Sequence, residues 1–74
     1  MANPLFILKS KTQYQGSPEQ IRIELEPLKD EFSEDFWADP KNPSGRCEFY
    51  IKSSQSQNYP IGAKFRLAII LTPV

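Results

Sequence analysis

The densest run of chemically able side chains is acidic: Asp30, Glu31, Glu34, Asp35 and Asp39. Carboxylates in that number offer oxygen ligands to a hard cation, acid–base groups for hydrolysis, or a contact patch for a basic neighbour. A calcium loop needs several converging oxygens, and the run lacks the Asp-x-Asp-x-Asp-Gly order that supplies them. An acid–base pair needs a deep pocket, which a chain of 74 residues has little volume to build. The acidic run is therefore read first as a solvated turn, and as a functional feature it is a contact patch for a cation or for a basic neighbour, with acid–base catalysis the remotest alternative.

A second set is basic and aromatic. Tyr50, Lys52, Tyr59, Lys64 and Arg66 together suit the face on which an oligonucleotide-binding barrel stacks bases over a basic groove. Glu24, Glu26 and Glu48 take outward strand positions as well, so the same cations also fit ordinary cross-strand ion pairs. Cys47 falls on the inward phase of its segment and reads as a small buried hydrophobe. With no histidine and this single cysteine, the common structural zinc sites and an internal disulfide are excluded, and neither a metal nor a cofactor is expected. Phe36 and Trp37 serve equally well as lids on a core or as anchors of an interface.

These groups are positioned by strands. Seven prolines, at 4, 18, 27, 40, 43, 60 and 73, interrupt every stretch that might form a long helix. Between them the alternation is two-fold: Ile21, Ile23 and Leu25 against Arg22, Glu24 and Glu26, then Cys47, Phe49 and Ile51 against Glu48, Tyr50 and Lys52. A first strand is expected from about Leu5 to Tyr14, closed by the turn Gln15-Gly16-Ser17-Pro18. A last one runs from Lys64 to Leu71 and turns apolar on both faces at Ala68 and Ile70, which implies a cover on both sides. The fold class is therefore all-β: a small antiparallel meander, sandwich or open barrel of four to five strands, forming one domain over residues 1–74. A short helical or irregular acidic-aromatic insert occupies about 29–39, where Phe32, Phe36 and Trp37 have the spacing to meet against the sheet.

Nine basic and nine acidic residues cancel, but not evenly. Residues 19–39 carry eight acids and two bases, a net of −6, whereas residues 1–18 carry +2 and residues 40–74 carry +4. Overall neutrality argues against a duplex nucleic-acid binder. No apolar run is long enough to span a membrane, and the opening residues lack the basic region of a signal peptide, so a cytoplasmic origin is expected. A chain this short buries only about 60% of its extended surface, so with no disulfide or metal its support should come from a partner. The apolar ending Leu71-Thr72-Pro73-Val74 points the same way.

From Phe36-Trp37-x-x-Pro40-x-x-Pro43-Ser44-Gly45 through Ile51, Ile61-Gly62-x-Lys64-Phe65 and Leu71-Thr72-Pro73, the chain resembles small proteins encoded in tailed-phage and prophage genomes. The resemblance covers residues 32–74 and rests mainly on turn and strand residues. Asn42 stands where those proteins carry threonine, Phe65 where tyrosine is commoner, and Ile69-Ile70-Leu71 where they are more polar. It implies no catalytic residue. Taken with the small neutral β domain, its split charge and its apolar edges, it leads to the expectation of a non-enzymatic virion component made in the host cytoplasm, in its most concrete form a capsid decoration (cement) protein. The partners would be the major capsid protein and further copies of the chain, in a homo-oligomer or bound to the lattice. Leu5, Phe6, Phe36, Trp37, Ile70 and Val74 are the expected interface anchors, beside the acidic patch. The alternative is a phage single-stranded nucleic-acid-binding or replication accessory module using the basic aromatic set.

Overall fold

The computed structural model describes residues 3–74. Four antiparallel strands form one curled sheet: β1 Leu5–Tyr14, β2 Ser17–Pro27, β3 Cys47–Lys52 and β4 Lys64–Arg66. Their spatial order is β3-β2-β1-β4, so the first three strands are sequential neighbours and the fourth crosses back to lie beside the first. That is the order of a Greek key, and it covers the first part of the outer edge of β1, from Leu5 to Leu8. The all-β class expected from the alternation is what the chain forms.

The prolines mark where pairing stops. β2 is a central strand, yet β3 pairs with it only from Gln20 to Leu25. Pro18 and Pro27 lie outside that stretch, where β2 has a single neighbour and a missing N–H costs no ladder bond. β4 is shorter than its sequence predicts for a similar reason. The Leu67 N–H still donates to the Pro4 carbonyl at 3.1 Å, but Pro4 has no N–H to return, and the ladder ends. A single β-bridge at Ile69 is all that remains of the expected strand beyond it.

One face of the sheet carries the core: Phe6 and Leu8 of β1 with Ile21, Ile23 and Leu25 of β2. Burying each such side chain contributes about 1.5–3 kcal/mol, a small total for a whole domain. Leu8 pairs with Leu25, but Ser10 pairs with Glu24, so Lys9 is a bulge and the phase of β1 changes there. Lys11 is thereby turned to the core side opposite Ile23. Its ammonium donates to the Ser56 carbonyl at 2.7 Å and to Ser56 Oγ at 3.0 Å, tethering the 3₁₀ turn Ser53–Asn58 across the sheet. The turn Pro60–Ala63 then enters β4, closed by Ala63 N–H donating to the Pro60 carbonyl at 3.1 Å. Gly62 has φ +89° there, a left-handed conformation that glycine adopts without strain. Its N–H donates to the Leu8 carbonyl at 2.8 Å, so the turn is itself part of the closure of β1.

The insert between β2 and β3 holds the 3₁₀ turn Glu31–Ser33 followed by further turns. Trp37 packs over the core, its ring centroid 5.9 Å from that of Phe6, and Phe36 meets Trp37 edge-on at 4.9 Å. Phe32 makes no ring contact with them and is 81% exposed. Glu31 to Ser33 is only one turn of 3₁₀ helix, so positions four apart do not share a face as an α-helix would make them.

Candidate functional site

The insert is anchored at one point. Asp30, extended just before the 3₁₀ turn, accepts a hydrogen bond at Oδ2 from Arg66 Nη1 at 2.7 Å and another from Ser33 Oγ at 3.4 Å. Arg66 Nη1 also donates to the Asn3 carbonyl at 3.1 Å. Its guanidinium carbon lies 6.0 Å from the centroid of the Phe32 ring, at the outer limit of a cation–π contact. The Arg66 hydrogen bond holds the Asp30 carboxyl below the usual aspartate range, and Asp30 in turn pushes the Arg66 guanidinium up. Two residues expected in different sites, the acidic patch and the basic face, are thus partners of each other.

Around this pair lies an open groove of ≈ 840 Å³. Its apolar walls are Phe32 and Phe36 from the insert and Ile69 and Leu71 from the C-terminal segment, with Asp35 and Arg66 supplying polar rim. Ile70, Leu71 and Val74 are exposed, so the cover expected over the last apolar residues does not come from this chain. Glu31, Glu34 and Asp35 are exposed on the outside of the same insert. Among the described residues no three acidic or thiol groups converge on a point where a metal ion would sit.

Asp39 has another task. Its Oδ1 accepts the Lys41 N–H at 3.1 Å and its Oδ2 accepts from Asn42 Nδ2 at 3.2 Å, while its carbonyl accepts the Asn42 N–H. Asp-Pro-Lys-Asn is a turn with an Asx cap, and that signature was present in the sequence.

The expected interface anchors separate into three groups. Phe6 is 4% exposed and lies in the core, where it makes no outside contact. Leu5 and Trp37 are partly covered, and Trp37 is packed as a lid on Phe6. Phe36, Ile70 and Val74 are exposed.

The basic aromatic set is divided as well. Tyr50 and Lys52 lie on β3 at one edge of the sheet, Lys64 and Arg66 on β4 at the other, roughly 14 Å away across three strand spacings. Tyr59 is on the core side, its ring 5.8 Å from that of Phe65. Between the two edges the outer face is occupied by paired charge: Arg22 with Glu48 at 3.3 Å and Glu24 at 3.9 Å, and Lys9 with Glu26 at 3.6 Å. The five residues form no continuous basic groove. Cys47 packs against the core as expected, and burial pushes its thiol up, away from the reactive thiolate.

Two features escape a reading of the sequence. The pairing of Asp30 with Arg66 joins positions far apart in the chain, and no local pattern announces it. Phe49 lies on the core face opposite Ile23 yet is 48% exposed, on the strand that ends the sheet. Neither a protein-family model nor any curated protein or solved structure matches this chain. None of the described helices is long and apolar enough to cross a membrane.

Proposed function

We propose that this chain is a non-enzymatic structural protein of a tailed bacteriophage, a capsid decoration protein that docks on the major capsid lattice. The observation that carries the reading is the open apolar corner made by Phe32, Phe36, Ile69 and Leu71 beside the Asp30–Arg66 pair. A sheet with so small a core of its own supports a surface of this kind when a larger body covers it. Glu31, Glu34 and Asp35 at its margin favour a basic partner surface, and complementarity of that sort sets register more than affinity. A lasting contact should bury at least about 1,000 Å², so the corner would be the centre of the interface and not its whole extent.

The test is particle association. Purified virions analysed by mass spectrometry should contain the chain, and purified capsid shells should carry it down in sedimentation. Leu71→Glu should abolish co-sedimentation while leaving the circular dichroism unchanged, since Leu71 is 89% exposed and supports little of the fold. Absence from virions, with no sedimentation of the wild type on shells, would overturn the reading.

A further inference from the structure

The outer edge of β3 is unoccupied by any backbone partner among the described residues: the strand ends the sheet, and no turn or loop bond reaches it. We infer that β3 pairs with β3 of a second copy of this chain, antiparallel and centred on Tyr50, joining the two sheets into one.

The register follows from the sequence Cys-Glu-Phe-Tyr-Ile-Lys of Cys47–Lys52. A two-fold axis at Tyr50 sets Glu48 opposite the second copy's Lys52 and Phe49 opposite its Ile51, each pair occurring twice. Lys52 makes no ion pair among the described residues, and Glu48 uses only Oε1, on Arg22, leaving its second oxygen open. Opposite charges directly across a strand pair stabilise it, and like charges do the reverse. On the core side Phe49, half exposed in the single chain, gains an aliphatic neighbour and the cover it lacks.

Neighbouring registers fail. An axis at Phe49 sets Arg46 against Lys52, cation against cation, and leaves Glu48 facing Tyr50. An axis at Ile51 sets Phe49 against Ser53 and Glu48 against Ser54, so both charge pairs and both apolar pairs are lost. An axis between two residues would bring core-side and outer side chains to one face. Only the Tyr50 axis matches charge with charge and apolar with apolar.

This deepens the self-association expected of a decoration protein, but its readout is mass in solution and needs no capsid. Sedimentation equilibrium should show the wild type as a dimer. Lys52→Glu converts both cross-copy pairs to repulsion at a site with no partner in its own chain. Dimerisation should weaken by about tenfold or more with the melting temperature of the monomer unchanged. A Tyr50→Cys, Cys47→Ser variant should oxidise to a disulfide-linked dimer, because facing positions on the axis fall within disulfide reach. A wild type that stays monomeric at millimolar concentration overturns the inference and leaves the edge to a strand of another protein. So does a Lys52→Glu variant that dimerises as tightly as the wild type.

Discussion

The two edges of this sheet are built on opposite terms. β4 is fastened to β1 and to the insert: Gly62 and Ala63 continue the ladder along Leu8, Leu67 reaches Pro4, and Arg66 ties Asp30 and Asn3 together. The β3 edge has six strand residues, and its terminal Lys52 makes no ion pair among the described residues. Cations of the same type therefore have different meanings on the two sides. Arg66 is consumed by Asp30 and holds the insert in place, whereas Lys52 makes no ion pair among the described residues and is available to another molecule. The lesson is that a charge identifies a contact surface only after its internal partners have been subtracted.

The contrast predicts that substitutions near the β4 edge change stability, while those on the β3 edge change association. The largest effect should come from Trp37→Ala, which strips the lid from Phe6. Truncating a buried large aromatic costs about 3–5 kcal/mol, and Trp37 is only partly buried, so a loss nearer about 3 kcal/mol is expected. In a domain of this size that lowers the melting temperature by more than about 10 °C. A variant melting within a few degrees of the wild type would show that Trp37 is an outside anchor and not a lid. Next in size is Gly62→Ala. A Cβ at Gly62 meets nothing within 4 Å, so its whole cost is the left-handed backbone, about 1–2 kcal/mol. Thermal melting of that variant beside Gly16→Ala, where no positive φ is required, isolates the backbone effect. Equal melting temperatures for the two would contradict the closed turn.

Sequence pattern carries the first three strands because each is bounded by turn residues, and β2 and β3 alternate over their central parts. Leu5–Tyr14 and the apolar phase of Ile21, Ile23 and Leu25 were legible in this way. The bulge at Lys9 was not, because Leu5-Phe6-Ile7-Leu8 is apolar at every position and gives no phase to break. Nor was the early end of β4, which is decided by Pro4, just before β1. Of the candidate sites, the composition of the acidic insert was readable but its division of labour was not. Asp39 caps a local turn, Asp30 takes a distant arginine, and only Glu31, Glu34 and Asp35 face outward unshared among the described residues. Local chemistry is written in neighbouring letters, and tertiary pairing is not.

The smallest expected effect tests the fastening of the β4 edge through pH. Arg66 holds the Asp30 carboxyl below its ordinary range, so the unfolded chain binds this proton more readily than the folded one. The pair's contribution is therefore complete above the ordinary aspartate pKa of about 3.9, and it is lost as pH falls through the lower folded value. Asp30→Asn keeps an oxygen for Arg66 but removes the charge, and with it the pH dependence. The wild type should melt above this variant by a constant margin over neutral and mildly acid pH. Below about pH 4 the margin should shrink, reaching zero once the wild-type carboxyl is protonated. Arg66 is partly solvated, so added salt should narrow the margin at neutral pH as well. If the margin instead persists undiminished in acid and in high salt, Asp30 acts through the shape of its hydrogen bonds with Ser33, and the edge is closed by backbone pairing alone.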